Sequence, residues 1–204
     1  MSEVFKFRGC DKLYYGFTTE TLSATGNQVE LSFSTPKVLA PVTEAGRTTP
    51  SEVTPHYGNN KALINVVSEG ADEITFSVFG IPSEVLADIT GKSYNKEKQV
   101  FANSEREFKY CYVMWREKLT DGRYRYNVAY KGTFNVPDVT TATEDDGTDA
   151  NGQELTFTSI FTEKVFENGK ASKGYYIEDA AKKVNPNEFF ERVWTQDEVG
   201  LPTE

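Results

Sequence analysis

The chain contains 204 residues, of which 22 are Lys or Arg and 31 are Asp or Glu, so its net charge is −9. This acidic surplus argues against a protein that grips nucleic acid, because neutralising phosphates requires clustered Lys and Arg side chains. At about 100 to 200 residues per domain, the length allows one substantial domain, and 38% apolar residues are enough for a single buried core.

The sequence carries no sign of membrane insertion or secretion. Its longest apolar candidate is the six-residue run Tyr110 to Trp115, whereas a membrane-spanning helix needs about 18 residues. The first eight residues lack the apolar segment of a secretory signal. We therefore expect a soluble protein made in the cytosol, where Cys10 and Cys111 remain thiols.

Aromatic and β-branched residues recur with period two, which indicates strands with one buried face. Between Gln28 and Phe33, for example, Val29, Leu31 and Phe33 alternate with polar residues. We therefore expect a mainly β fold. The predicted strands, apart from one hairpin, are Leu13–Thr19, Gln28–Phe33, Lys37–Ala40, Glu73–Phe79, Glu154–Thr162 and Gly174–Ile177.

Asp121 and Gly122 predict that hairpin. They separate two period-two runs, Phe108–Leu119 and Arg123–Val136, and Asp-Gly in this setting is a strong turn signal. Both alternating sets of side chains in the first run are bulky, so both faces of the hairpin should be covered.

One short helix is predicted at Ile81–Gly91. Pro82 fixes φ near its start, and Gly91 supplies the left-handed stop. Val85, Leu86 and Ile89 form a narrow apolar stripe that suits packing against a sheet. We expect these residues to have a structural role.

Two segments lack a strand pattern. Thr43 to Lys61 contains two prolines, two glycines and two asparagines, which predicts a long loop. A loop longer than about 12 to 15 residues is either disordered or reaches another molecule. The last segment, 179–204, follows a domain at 1–178 and is predicted to be an arm or a short helix beginning at Pro186.

Patterns for catalysis and metal binding are missing. His56 is the sole histidine and lies between Pro and Gly residues, a poor setting for a nucleophile system. No zinc-ligand spacing occurs, and the acidic run Glu144 to Asp149 lacks the spacing of a calcium loop, which favours a solvated turn. No glycine-rich phosphate loop precedes a helix. We predict no enzyme activity, catalytic residue, metal or cofactor.

The order and spacing of several motifs resemble the major tail proteins of long, non-contractile bacteriophage tails, the phi13-type tail tube family. The motifs lie within residues 8 to 162. They are Gly9–Gly16, Thr35–Leu39, Ile81–Gly91, Asp121–Tyr126, Tyr130–Phe134 and Leu155–Thr158.

The resemblance implies a β-sandwich or barrel-like domain with a flanking helix, six copies per ring, and rings stacked into a tube. Viral DNA would pass through this tube without specific binding. The implied partners are further copies of the chain and the tape measure, tail terminator and distal tail proteins, with no membrane contact. The implied location is the virion tail, assembled in the cytoplasm of the bacterial host.

Two sets of residues are then candidates for assembly and transport. Glu44, Glu69, Asp72 and Glu73 flank the predicted loop and are expected to face the channel, where negative charge would keep DNA from sticking. The candidates for ring stacking come from the loop and the C-terminal arm, although the arm could instead dock on its own sandwich. They are Arg47, Pro50, Pro55, His56, Tyr57, Phe189, Phe190 and Trp194.

A second hypothesis stays open on the sequence alone. Aromatic residues on strands can form a platform for stacking sugars, although the same alternation also suits core packing. In that case the chain would be a monomeric β-sandwich that binds carbohydrate or a host surface.

Overall fold

The computed structural model describes residues 6–23, 26, 28–58, 61–137, 152–178, 184–186 and 188–199, without the side chains of residues 56–67. The described part is mainly β, as predicted, with one short helix. Its strands are β1 Phe7–Leu22, β2 Val29–Phe33, β3 Lys37–Val38, β4 Val42–Thr48, β5 Ser51–Gly58, β6 Lys61–Glu69, β7 Asp72–Val78, β8 Ser93–Asn95, β9 Val100–Ala102, β10 Cys111–Leu119, β11 Tyr124–Phe134, β12 Gln153–Ser159 and β13 Gly174–Glu178, and the helix is α1 Ser83–Thr90.

Nine strands form one antiparallel sheet in the order β2-β1-β10-β11-β12-β7-β4, with β13 added beside β11 and β3 beside β1. The strands β4, β7 and β12 fold over the strands β1 and β10. Phe76 of β7 and Trp115 of β10 meet between these layers, with ring centroids 5.4 Å apart and the rings edge to face. The sheet is therefore a sandwich whose two terminal strands, β2 and β4, stay unjoined.

The first core fills the space between the two layers. Its buried side chains come from β1, β7, β10, β11 and β12, and α1 closes one side of it. The largest members include Tyr15, Phe76, Trp115, Phe134 and Phe157.

The second core lies on the opposite face of β10 and β11. Tyr112 and Met114 of β10 join Tyr126, Val128 and Tyr130 of β11 there, and the segments after β12 and β13 cover them. Cys111, Val113 and Trp115 of β10 point into the first core instead. The prediction that both faces of this hairpin are covered is confirmed.

The turn of that hairpin follows its local chemistry. Gly122 adopts a left-handed conformation with φ of 88°. The Asp121 side chain accepts a hydrogen bond of 2.9 Å from the backbone N–H of Arg123. The predicted Asp-Gly turn is confirmed.

Helix α1 also begins and ends where the sequence indicates. Pro82 stands at its N-cap, and Gly91 ends it with φ of 67°. Ile89 is buried in the first core, and Val85 and Leu86 pack against it. A side chain at Gly91 would place its Cβ 2.0 Å from the carbonyl oxygen of Glu107, so both the backbone conformation and the close approach require glycine here.

The prediction of a long loop at Thr43 to Lys61 is wrong. The segment contains most of β4, all of β5 and the first residue of β6. Pro55 is tolerated because β5 pairs only with β6 among the described strands, so β5 is an edge strand on its other side. The β-branched residues of Ser51–Thr54 and Ile64–Val67 are the signal that the Pro and Gly content obscured.

The C-terminal segment packs back on its own sheet. Its described residues form successive turns, so the predicted short helix after Pro186 is wrong for this part of the chain. Phe190 stacks on Tyr14 with ring centroids 4.9 Å apart, and Phe189 lies 4.9 Å from the ring of Tyr126. Of the two alternatives for this arm, the isolated chain therefore shows docking on its own sandwich.

Truncating this aromatic anchor should destabilise the domain. Phe189 is only 2% exposed, so we expect Phe189→Ala to lower the free energy of unfolding by about 3 to 5 kcal/mol through lost burial and a cavity. The measurement is chemical denaturation followed by fluorescence. Phe108→Ala is the control, because Phe108 is 64% exposed and its loss should cost less than about 1 kcal/mol. Equal effects of the two substitutions would contradict this account.

Candidate assembly surfaces

Four strands of the main sheet pair with one other described strand only, and two of them, β2 and β4, lie at the two ends of its strand order. β2 pairs only with β1, and β4 pairs only with β7. An unpaired edge presents a row of N–H and C=O groups that can pair with a strand of another chain. The fold thus carries open edges at both ends of its strand order.

The hairpin of β5 and β6, residues 51–69, is separate from this sheet. Its strands pair with each other from Ser51 opposite Glu69 to Gly58 opposite Lys61, and with no other described strand. At about 3.3 Å per residue, strands of eight and nine residues extend about 25 to 30 Å. We call this element the β5–β6 hairpin.

The outward side of β4, β7 and β12 forms a polar face. Cross-strand pairing arranges it in three rows, because directly opposed residues point to the same side of a sheet. The burial alternation of β7 and β12 shows that this side faces away from the first core. The rows are Glu44, Ser77 and Glu154; Gly46, Thr75 and Thr156; and Thr48, Glu73 and Thr158.

The polar face contains three carboxylates, hydroxyl groups and one glycine, and no Lys or Arg at these nine positions. Thr133 of β11 lies opposite Thr158 and continues the last row. Such a surface offers an approaching polyanion no positive charge to bind.

Asp72 does not belong to this face, which corrects its assignment to the channel. The residue is 1% exposed and accepts a hydrogen bond of 2.6 Å from the Lys173 ammonium group. Arg47 also binds its carboxylate. Burial alone would raise the pKa of Asp72, but the hydrogen bonds and charges of Lys173 and Arg47 outweigh it and hold that pKa below its ordinary value.

The other channel candidates are exposed and divide between two places. Glu44 and Glu73 lie on the polar face, whereas Glu69 is the last residue of β6, at the root of the β5–β6 hairpin. Glu154 joins the first two across the sheet and was not among the predicted site residues. Its alternation with Leu155 and Phe157 was the signal that could have found it.

The stacking candidates also divide. Pro50 and Pro55 belong to the exposed root and first strand of the β5–β6 hairpin, and the side chains of His56 and Tyr57 lie outside the described part. Arg47 is held by Asp72. Phe189 and Phe190 are buried in the second core. Trp194 is partly buried and stacks against the Arg192 guanidinium, 3.7 Å from its ring centroid.

An open groove of about 610 Å³ lies between β4 and the strands β1, β10, β11 and β13. The Arg125 guanidinium sits at its rim, within 5 Å of the ring centroids of Phe7 and Tyr176. Glu178 binds the same guanidinium. The Arg125 guanidinium is thus held by one carboxylate and two aromatic rings.

Among the described residues, no three His, Cys, Asp or Glu side chains come together as a metal-binding group. Both cysteines are free thiols, as predicted, and burial raises the pKa of Cys10 and of Cys111 to about 12. The acidic run Glu144 to Asp149 lies outside the described residues. No described helix is long and apolar enough to span a membrane.

The buried charge cluster gives a pH-dependent prediction. Because the folded pKa of Asp72 is lowered, its stabilisation is present above the ordinary carboxyl pKa of about 4 and is lost as pH falls through the folded value. We expect Asp72→Asn to lower the free energy of unfolding at pH 7 by about 3 to 5 kcal/mol, since it leaves a buried ammonium group poorly compensated.

Denaturation of the Asp72→Asn variant and the wild type from pH 7 down to pH 2 measures this difference. The difference should shrink in acid, because protonation makes the wild-type Asp72 side chain neutral, as the Asn side chain is at every pH. Exposed Glu73 on the same strand supplies the control Glu73→Gln, which should change stability by less than about 0.5 kcal/mol. A difference for Asp72→Asn that does not vary with pH would contradict the assigned role of its charge.

Comparison with known families agrees with this geometry. A family model described as phage tail tube protein matches residues 49–194, which is more than half of the chain. The matched span includes the β5–β6 hairpin, α1, the β10–β11 hairpin and the C-terminal aromatic residues up to Trp194. No curated protein matches the chain. The family match confirms the resemblance seen in the sequence motifs, and the chain belongs to the phage tail tube protein family, whose members are structural subunits of the tail tube.

Proposed function

We propose that six copies of this chain close into a ring, that rings stack into a hollow tube, and that viral DNA passes through this tube during ejection into the host. The observation that carries the proposal is the pair of open strand edges, β2 and β4, in a member of the tail tube family. A ring needs a head-to-tail contact between two different surfaces of each subunit. The edges of β2 and β4 lie at opposite ends of the strand order and are therefore two different surfaces of one subunit.

Stacking is assigned to the β5–β6 hairpin. It is long, it lacks a partner strand in the described part of its own chain, and Val53 on it is 55% exposed. Phe189 and Phe190 are not assigned to stacking, because they already support the second core of their own subunit. Pro50, Pro55, His56 and Tyr57 remain in the proposal as parts of the hairpin and its root.

The polar face is assigned to the channel wall. Its carboxylates repel phosphates over roughly a Debye length of 8 to 10 Å, and its Thr and Ser hydroxyls add no positive charge to retard a duplex. Glu44 and Glu73 are thus kept as channel residues, and Glu154 takes the place proposed earlier for Asp72. Glu69 is placed at the hairpin root instead.

The remaining roles follow from this assembly. The tube begins and ends on other tail proteins, which include the tape measure, the tail terminator and the distal tail protein of a long non-contractile tail. Assembly takes place in the cytoplasm of the bacterial host, before the tail becomes part of the virion. The proposed work of the chain is mechanical and requires no catalytic residue.

Electron microscopy of the purified chain at high concentration tests the assembly. We expect rings or tubes with a central hole. Replacing residues 51–69 by two glycines should leave rings and abolish tubes, and the excision should not disturb the fold, because the Gly70 N–H donates a 2.9 Å hydrogen bond to the Pro50 carbonyl oxygen. Featureless monomers from the full chain, or tubes of normal length from the excised chain, would contradict the proposal.

Charge reversal tests the channel wall in the assembled phage. The triple variant Glu44→Lys, Glu73→Lys and Glu154→Lys should assemble tails of normal length but release DNA more slowly in a triggered ejection assay. The delay should shrink as salt rises, because screening weakens the attraction between Lys and phosphate. A matched variant reverses Glu97, Glu105 and Glu163, which are exposed but lie off the polar face. Equal ejection rates for the two variants would refute the assignment.

The alternative of a monomeric binding module has one observation in its favour, the exposed Phe7 and Tyr176 rings at the groove. Their stacking with Arg125 leaves less ring surface for a sugar. Glycan-array binding that is lost in Tyr176→Ala, by a chain that stays monomeric at high concentration, would support this second function over the first.

A further inference from the structure

We propose that Lys173 and Asp72 are positioning residues for ring stacking, which act by fixing the direction in which the β5–β6 hairpin leaves the domain. This inference rests on the proposed function of the hairpin as the stacking element. Neither residue needs to touch the neighbouring ring, because both act through the hairpin root.

The root of the β5–β6 hairpin is formed by two short connections, Thr49–Pro50 after β4 and Gly70–Ala71 before β7. The Gly70 N–H donates a hydrogen bond to the Pro50 carbonyl oxygen at 2.9 Å, which joins the two connections. A single pair of connections acts as a hinge unless another group restrains it, because the hairpin pairs with no other described strand.

Lys173 supplies that restraint from a distant part of the chain. Its ammonium group donates to the Gly70 carbonyl oxygen at 2.7 Å and to the Asp72 carboxylate at 2.6 Å. Both Lys173 and Asp72 are buried. The Lys173 ammonium also lies 4.7 Å from the ring centroid of Phe161, so its position is fixed from several directions.

Arg47 completes the arrangement from the other connection. It lies near the end of β4, just before the hairpin, and binds the Asp72 carboxylate, which Lys173 also binds. Asp72 is the first residue of β7, which follows the hairpin, and it binds both Arg47 of β4, which precedes the hairpin, and Lys173 of the segment before β13. Together with the bond from Lys173 to Gly70, these contacts restrain the root in more than one direction.

The chemistry of this cluster suits positioning better than stability. A buried ion pair often contributes little net stability relative to apolar residues of similar size, but its hydrogen bonds have fixed directions. Replacing the pair by apolar residues should therefore keep the fold while releasing the root. The direction of the β5–β6 hairpin can therefore be changed in a variant that stays folded.

The test uses the double variant Asp72→Leu and Lys173→Met, in which Arg47 keeps its access to solvent through a half-exposed side chain. A matched control is Glu20→Leu with Lys131→Met, which removes another largely buried Lys–carboxylate pair, on β1 and β11, whose ammonium group binds Glu20 and not the hairpin root. Thermal unfolding first confirms that each variant is folded. A pair of variants that fails to fold is replaced by Asp72→Asn with Lys173→Gln and by Glu20→Gln with Lys131→Gln, which remove both charges of each pair at once.

The first readout is the orientation of the hairpin in the monomer. Spin labels at Val53→Cys on the hairpin and Glu154→Cys on the domain, in a Cys10→Ser background, give a distance distribution by pulsed electron resonance. We expect a narrow distribution in the wild type and in the control, and a broader one in the Asp72→Leu, Lys173→Met variant. An unchanged distance distribution in that variant would overturn the inference, irrespective of the result for tube formation.

The second readout is tube formation by electron microscopy. If releasing the root lowers the fraction of stacking-competent hairpins to about a tenth, the apparent stacking affinity falls about tenfold, while rings still form. Normal stacking by the Asp72→Leu, Lys173→Met variant would overturn the inference while leaving the hairpin's role intact. Normal tubes after excision of the whole hairpin would instead overturn the proposed function, so the two failures are distinguishable.

Discussion

Strands β10 and β11 bury side chains on both faces, and the rest of the fold is arranged around that constraint. A sheet that is apolar on both sides needs two covers. The folded-over strands β4, β7 and β12, with α1, cover one face, and the segments after β12 and β13 cover the other. The chain thus supplies a complete interior from its own residues.

This self-sufficient interior leaves other parts of the molecule available for contacts between subunits. The outer main-chain edges of β2 and β4, the β5–β6 hairpin and the polar face add no described side chain to either core. Each has a different physical character: unpaired backbone groups, a long two-stranded projection, and a surface of carboxylates and hydroxyls. A tube subunit needs such a division, because contact within a ring, contact between rings and passage of DNA place different demands on a surface.

Local signals in the sequence were sufficient for some elements and misleading for others. The Asp121-Gly122 turn and the Pro82 to Gly91 helix were predictable because residues within a few positions determine them. The strands β5 and β6 were missed because Pro55, Gly58 and the asparagines that follow predict a loop, although an edge strand tolerates Pro55 and Gly58. The short strands β8 and β9 gave no comparable pattern. Asp72 lies on the same side of β7 as Ile74 and Phe76, so its burial could have been predicted from the alternation. Its partner Lys173 lies 101 residues away, and a single sequence does not show that the two residues pair.

The central claim is that these subunits join through open strand edges into a hollow tube whose wall is the polar face. A reconstruction of the assembled tail by electron cryomicroscopy tests it most directly. The account predicts main-chain pairing between β4 or β2 and a neighbouring subunit, with Glu44, Glu73 and Glu154 lining the central channel. A map in which both edges stay unpaired, or in which these three carboxylates lie on the outside of the tube, would contradict it.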